Sequence, residues 1–273
     1  MKEGNSHDNV HEAVSKNVFR KCIFMPFLVL GDPDYESSFE LVKTLIENKA
    51  DGLELGFAFS DPIADGPAVQ KANRRALERG MTTEKAFLLI ERIRSISSIP
   101  LSVMVSFNIV FNYGVDKFYS RCRIAGVDAV LCPEIPPEEA GEIAGYADKH
   151  EISQVFMVSP VTSERRIRRI DNLCNGYIYL VSIFGTTGAR KDLSADLRPL
   201  IDRTKRNTSL PVYVGFGVSK PDHVSGVLNA GADGVICGSR FCEIIEKNTR
   251  LEEKILKIAG LCRRMADALP KNI

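Results

Sequence analysis

The sequence has few histidines and lacks the residue patterns from which metal sites, disulfide frameworks and membrane spans are built. Two of its four histidines lie in the polar first eleven residues, and its seven cysteines include no C-x-x-C pair. A histidine-bound metal, a structural zinc and a disulfide framework are therefore not expected, and scattered thiols are typical of a reducing cytoplasm. No apolar run approaches the ~20 residues that a membrane-spanning helix needs, and residues 1–20 are too polar for a secretory signal.

The chain also has no marked excess of positive or negative charge. Its 273 residues carry a formal net charge of +1. This balance gives no reason to expect nucleic acid or an anionic membrane as a partner. No linker or low-complexity stretch divides the chain. We expect a single domain over residues 21–273, preceded by a polar helical extension over residues 1–20.

Three segments of the chain are alike: NKADGLELG (48–56), AGVDAVLCP (125–133) and AGADGVICG (230–238). Each ends a helical stretch, turns through small residues and an aspartate, and enters a short apolar strand. The aspartates Asp51, Asp128 and Asp233 are 77 and 105 residues apart. These gaps suit two and three repeats of a barrel in which about 250 residues make eight βα units.

The remaining apolar stretches complete a set of eight predicted strands. They are residues 22–29, 52–56, 101–105, 128–132, 154–158, 177–182, 212–216 and 233–237. Segments with helical spacing lie between them, and strict alternation of strand and helix indicates a parallel sheet. We therefore predict a (β/α)8 TIM barrel, with a doubly wound open sheet as the less favoured alternative.

Glu54 stands out because it interrupts the apolar strand at residues 52–56. Strand side chains alternate, so Glu54 should face the barrel interior between Gly52 and Gly56. Pairing with a buried cation is the structural alternative, but the neighbouring strands offer none. A carboxyl group there should have a raised pKa and suit general acid/base chemistry. Asp65 lies on the loop that follows this strand, where it could serve a second proton-transfer position or simply form a turn.

Glycine-rich loops follow the last three predicted strands: FGTTGAR (184–190), GFGVSKP (215–221) and CGSRFCE (237–243). Loops after strands 7 and 8 form the recurrent phosphate site of this fold, where helix N-termini bind anions. The sequence therefore predicts a substrate with a phosphate at one end and a proton-transfer centre at the other.

Together these stretches resemble the tryptophan synthase α subunit family. The segment ELGFAFSDPIADGPAVQ (54–70) is similar to the family signature, and FLVLGDP (27–33) to its first strand and turn. Further matches follow in family order over about residues 18–268: NIVFNYG (108–114), YLVSIFGTTGAR (179–190), GFGVS (215–219) and GADGVICGS (231–239). The resemblance implies a lyase that cleaves indole-3-glycerol phosphate to indole and glyceraldehyde 3-phosphate by a retro-aldol reaction.

The resemblance also implies roles for individual residues. Glu54 would be the acid/base that protonates C3 of the indole ring and accepts the glycerol hydroxyl proton, and Asp65 would hold the indole N–H. The indole pocket would be lined by Phe27, Met104, Tyr179 and Phe216, for which packing in the barrel core is an equal alternative. Thr187 would belong to a mobile loop that closes near Asp65. The phosphate would be bound by Gly188, Gly217, Gly238 and Ser239.

A partner and its cofactor are implied in the same way. Indole would pass to a tryptophan synthase β subunit in an α2β2 heterotetramer, and pyridoxal phosphate is expected only in that partner. This chain would carry no cofactor and no metal. The loops that would face the partner hold Asp32, Ala58, Asp61 and Pro62.

Three positions depart from the family pattern. Ser106 stands where the family has a tyrosine, Val29 where it has a threonine, and Ala58 where it has a proline. The first two remove aromatic or polar groups near the pocket, and the third frees the loop, because proline restricts the chain. These departures favour a second hypothesis, a weakly active or inactive α-like subunit that mainly activates its β partner. A remote third hypothesis is another phosphate-binding TIM-barrel enzyme.

Overall fold

The chain folds into a closed parallel barrel of eight strands. The computed structural model describes residues 18–19, 24–63, 65–181, 193–215 and 217–269, with only the backbone of residues 193–196. The strands are β1 Phe24–Val29, β2 Leu53–Gly56, β3 Leu101–Met104, β4 Ala129–Leu131, β5 Ser153–Val158, β6 Ile178–Leu180, β7 Val212–Val214 and β8 Gly234–Cys237. Since β1 pairs with both β2 and β8, the predicted (β/α)8 TIM barrel is confirmed and the open sheet is excluded.

Helices cover the outside of the barrel. Those in the described residues are α1 Tyr35–Glu47, α2 Pro67–Glu78, α3 Thr83–Arg94, α4 Phe107–Tyr113, α5 Val115–Ala125, α6 Gly141–Lys149, α7 Glu164–Asp171, α8 Leu193–Lys205, α9 Pro221–Asn229, α10 Ser239–Glu246 and α11 Leu251–Asp267. Asp34, Thr82 and Ser163 cap α1, α3 and α7 by accepting a backbone N–H three residues on. Such caps satisfy donors that the first helical turn leaves unpaired.

The repeated aspartates tie neighbouring strands together where the strands begin. Asp51 accepts from the backbone N–H of Phe24, at 2.9 Å from Oδ2. Asp128 accepts from Leu101 at 2.8 Å, and Asp233 makes the same bond at the start of β7. The repeat seen in the sequence is therefore a structural device of the N-terminal end of the barrel, the end that supplies stability in this fold.

Aromatic rings fill the barrel interior near that end. Tyr177 stacks on Tyr213 with ring centroids 4.7 Å apart, and Phe19 packs against Tyr177 at 5.1 Å. The Tyr213 hydroxyl donates to the backbone carbonyl of Phe19. Of the predicted extension over residues 1–20, only Val18 and Phe19 lie among the described residues, so that domain boundary stays a prediction.

The opposite end of the barrel, where the strands finish, carries the loops after each strand. Loops at this end hold the active sites of TIM barrels.

Membrane-spanning helices are absent from the part of the chain that the structure describes, because none of its helices combines the necessary length and apolar character.

Removing an aspartate of the repeat should destabilise the barrel. We expect Asp128→Ala to lower the free energy of unfolding by about 1–3 kcal/mol, because the Leu101 N–H loses its acceptor and Arg94 loses its ion-pair partner. Asp128→Asn keeps an oxygen for Leu101 and should cost less. Guanidinium chloride unfolding measures both variants. Asp267→Ala, which removes an exposed ion pair with Lys49, is the control and should cost ~0.5 kcal/mol or less. Equal losses in the two alanine variants would contradict the assigned role.

Candidate active site

Glu54 lies inside the barrel on β2 and is 1% exposed. It is in register with Phe27 on β1 and with Ser102 on β3, so these three positions lie side by side across adjacent strands. The contact between Oε1 of Glu54 and the hydroxyl of Tyr177, which comes from the β6 segment across the barrel, confirms the sequence prediction that this carboxyl group faces the interior.

Burial controls the ionisation of Glu54. Desolvation raises its pKa to about 8, the Tyr177 hydroxyl at 3.4 Å from Oε1 lowers it, and the negative charge of Asp65 raises it. No cation of the described chain is among these causes. A carboxyl group in such a site is mostly protonated at neutral pH, because desolvation disfavours the charged form.

Asp65 lies on the loop after β2 and is only partly buried. Burial raises its pKa to about 6, a hydrogen bond from Asn73 lowers it, and the charge of Glu134 raises it. The Asn73 amide nitrogen lies 3.0 Å from Oδ2 of Asp65. At neutral pH the site therefore holds one protonated and one ionised carboxyl group, the pattern of an acid/base pair.

Side chains of α2 hold the loop that carries Asp65. Asn73 is 3% exposed, and its carbonyl oxygen accepts from the backbone N–H of Phe59 at 3.1 Å. The Gln70 amide donates to the backbone carbonyl of Asp65 at 2.8 Å. A single buried amide, that of Asn73, thus fixes both the loop backbone and the carboxylate.

The predicted pocket residues Phe27, Met104 and Tyr179 lie in the barrel near its C-terminal end. Phe27 is 3% exposed, and its ring fills space that only glycine leaves free. A Cβ atom on Gly56 or on Gly238 would lie 2.8 Å or 2.9 Å from that ring. The Tyr179 hydroxyl donates to the Gly215 carbonyl at 3.0 Å. The other two predicted pocket residues, Phe216 and Thr187, lie outside the described residues.

Three of the predicted phosphate-binding residues, Gly217, Gly238 and Ser239, lie on two adjacent loops, since β7 pairs with β8. Gly217 has a φ of +80° with open space where a Cβ would point, and Ser239 opens α10 directly after Gly238. The backbone N–H groups at such a helix start can receive an anion. Gly188 lies outside the described residues.

The residues predicted to face a partner differ in exposure. Asp61 is exposed, Ala58 and Pro62 are partly buried, and the adjacent Ile63 is 83% exposed. Asp32 is 1% exposed, and its carboxylate forms a bidentate ion pair with Arg75 of α2, at 2.7 and 2.8 Å. Its side chain therefore holds its loop against α2, and any part it has in a partner surface is indirect.

The positions that depart from the family pattern have different surroundings. Val29 is fully buried at the end of β1. Ser106 directly precedes α4, and its side chain makes no capping hydrogen bond there. Ala58 packs against the core from the loop after β2.

The sequence reasoning missed four polar residues of the site. Tyr177 and Ser102 contact each other beside Glu54, while Asn73 and Glu134 act on Asp65. Ser102 alternates inward on β3, so a search for interior hydroxyl groups as well as cations would have found it. Tyr177 and Glu134 come from distant segments, whereas Asn73 lies on the helix that follows the loop of Asp65, and no local pattern marks any of the three.

Comparisons with known proteins agree on one family. The model of the family described as "Tryptophan synthase alpha chain" matches residues 15–270. A tryptophan synthase alpha chain of Methanothermobacter thermautotrophicus is 50% identical over 236 residues, covering 86% of this chain and 87% of that protein. One of Helicobacter pylori strain J99 is 41% identical, covering 93% and 97%.

Solved structures give the same result. A structure from Pyrococcus furiosus, described as the structural basis of mutual activation of the tryptophan synthase a2b2 complex, has a TM-score of 0.84 at 36% identity and covers 90% of this chain and 97% of that one. The crystal structure of a tryptophan synthase complex from the same organism has a TM-score of 0.81 at 34% identity and covers 89% and 97%. The matches span nearly the whole barrel and confirm the resemblance seen in the sequence. The chain therefore belongs to the tryptophan synthase alpha chain family, whose members are lyases that cleave indole-3-glycerol phosphate.

Proposed function

We propose that Glu54 and Asp65 carry out the retro-aldol cleavage of indole-3-glycerol phosphate in this chain. The observation that carries the proposal is the burial of Glu54 with no cation beside it among the described residues, which raises its pKa to about 8, whereas the pKa of the nearby Asp65 is raised only to about 6. A proton donor and a carboxylate acceptor thus coexist in one pocket at neutral pH.

The proposed reaction begins with protonation of the indole ring. Glu54 gives its proton to ring carbon C3, and a positive charge develops on the ring nitrogen. The Asp65 carboxylate stabilises this charge by accepting a hydrogen bond from the ring N–H. The Glu54 carboxylate then accepts the proton of the hydroxyl on the glycerol carbon bonded to C3. That carbon becomes the aldehyde of glyceraldehyde 3-phosphate, and the electron pair of the broken bond returns to the ring as indole leaves.

The glycine loops suit the other end of this substrate. The phosphate would lie against the backbone N–H groups of Gly217, Gly238 and Ser239, where the start of α10 favours an anion. Because these loops follow β7 and β8, the phosphate would lie close to Phe27 and Tyr179. The indole ring at the other end of the substrate would then face Glu54. The proposed steps involve no redox change, and we infer that this chain carries no cofactor of its own.

A β subunit is the partner that we propose, as part of an α2β2 assembly in the cytoplasm, with pyridoxal phosphate in the β subunit. Large apolar side chains exposed on the segments that follow β2, β3 and β5, two on loops and one on α4, support a docking surface on this side of the barrel mouth. They are Ile63, Phe111 and Val161, which are 83%, 66% and 85% exposed. The same loop after β2 carries Asp65, so a partner bound there would act directly on the candidate site.

Loss of the Glu54 carboxyl group should abolish indole release. We expect Glu54→Gln to lower kcat by about 10²–10⁴-fold, the range for removal of a general acid/base. Asp65→Asn should also be severe, whereas Asp65→Glu should keep some activity because an acceptor survives. Steady-state indole release measures these effects, and glycerol 3-phosphate binding checks that the phosphate site is intact. Glu47→Gln, on the outer face of α1, is the control. Full activity in Glu54→Gln would contradict the proposal.

The activity should depend on pH as a bell-shaped curve. Asp65 must be ionised, so kcat/KM should fall as the pH drops through about 6. Glu54 must be protonated, so kcat/KM should fall again as the pH rises through about 8. A profile of the free enzyme reports these two groups. A rate that stays flat across this whole range would rule out the acid/base pair.

The departures should make the isolated chain a poor lyase. A loop without proline at position 58 samples more conformations, and apparent activity falls with the fraction of competent molecules. We expect Ala58→Pro and Ser106→Tyr to raise indole release by the isolated chain, and an added β subunit to raise that of the unmodified chain. If neither the partner nor the substitutions yield turnover, the chain is an activating subunit that does not use its carboxyl groups. If the isolated chain already matches its complex, the loop is preorganised.

A further inference from the structure

The Tyr177 hydroxyl has two acceptors within reach and only one hydrogen to give. It lies 2.9 Å from Oγ of Ser102 and 3.4 Å from Oε1 of Glu54. Ordinary O–H···O bonds fall between about 2.5 and 3.0 Å, so Ser102 holds the better position. All three side chains are at most 1% exposed, which leaves them little recourse to water.

We propose that Ser102 is a positioning residue that accepts the hydroxyl hydrogen of Tyr177, draws it away from Glu54 and so keeps the Glu54 carboxyl group in its proton-donating form. The inference rests on the proposed function, in which Glu54 must start the reaction protonated. Ser102 does not need to touch the substrate, because it acts through Tyr177.

The strand register places the two acceptors that compete for the Tyr177 hydrogen side by side in the barrel. Glu54 and Ser102 are register partners on β2 and β3. Tyr177 directly precedes β6, and its side chain crosses the barrel interior to reach both. Its ring is stacked on Tyr213 at 4.7 Å and packed against Phe19, so it has little freedom to turn fully toward Glu54.

None of the titratable groups that interact with Glu54 in the described part of the chain is a cation. Those that interact with it among the described residues are Tyr177 and Tyr179 from the β6 segment and Asp65 from the loop after β2. The tyrosines have raised pKa values because they are buried, and Asp65 is negative, so neither supplies a positive charge. The Tyr177 hydrogen is therefore the group that could stabilise an ionised Glu54, and Ser102 decides how far it does so.

The test compares two substitutions that should act in opposite directions. Ser102→Ala frees the Tyr177 hydroxyl to donate to Glu54, and a bond to the charged form lowers a pKa. The basic limb of the kcat/KM profile should then move down by about one pH unit, a tenfold change in the protonation equilibrium. Tyr177→Phe removes the hydrogen altogether and should move the limb up. Ser102→Gly is a second variant that removes the hydroxyl, together with the Cβ atom.

Ser153→Ala is the matched control, since it removes a buried hydroxyl from β5 that has no hydrogen-bond partner in the part of the chain that the structure describes. It should leave the profile in place. The infrared band of the protonated Glu54 carboxyl group, identified by its loss in Glu54→Gln, should be titrated in each variant as a readout independent of turnover. If this titration shifts but the rate profile does not, Ser102 acts as proposed and the catalytic role of Glu54 fails. An unchanged or upward titration in Ser102→Ala and Ser102→Gly would overturn the inference.

Discussion

The chemistry that we propose for this barrel depends on keeping one carboxyl group out of water with no cation beside it in the part of the chain that the structure describes. Glu54 is 1% exposed on the inner face of β2, and burial raises its pKa to about 8. An ionised carboxylate there would lack the solvation that water or a guanidinium provides, so the carboxyl group keeps its proton at neutral pH. The eightfold closure of the sheet makes this possible, because it creates an interior that a flat sheet with a solvated face would not have.

A second constraint concerns Asp65, the other carboxyl group of the site, because it lies on a loop and must still be held in place. Helix α2 does this with side chains on two sides. Asn73 holds Asp65 and the backbone of Phe59, and Arg75 holds Asp32 on the loop after β1. Two loops at the mouth are thus tied to one helix, so a shift of α2 would displace both. This connection gives a physical route by which a protein docked against the exposed Ile63 could alter the geometry of Asp65.

The sequence was informative where chemistry follows from local pattern, and silent where it follows from contacts across the barrel. Strand alternation placed Glu54 inside, and the aspartate repeat revealed the eightfold architecture. The structure adds a residue to this repeat that the sequence pattern does not reveal. Asn175 accepts a hydrogen bond from the Gln154 N–H at 2.7 Å near the start of β5, as the aspartates do at the start of other strands. Its neighbours share no motif with theirs. The sequence does not predict the ion pair of Asp32, because its partner Arg75 lies 43 residues away and only the folded chain brings the two together.

The central claim is that Glu54 is protonated and Asp65 ionised in the same pocket at neutral pH. The most direct measurement is the carbon-13 NMR titration of the side-chain carboxyl carbons, with the two signals assigned from their loss in Glu54→Gln and Asp65→Asn. The account predicts that the Glu54 signal is that of a protonated acid at neutral pH and titrates near 8, while the Asp65 signal titrates near 6. A Glu54 signal that is already ionised at neutral pH, with a midpoint near the ordinary glutamate value of about 4.3, would contradict it.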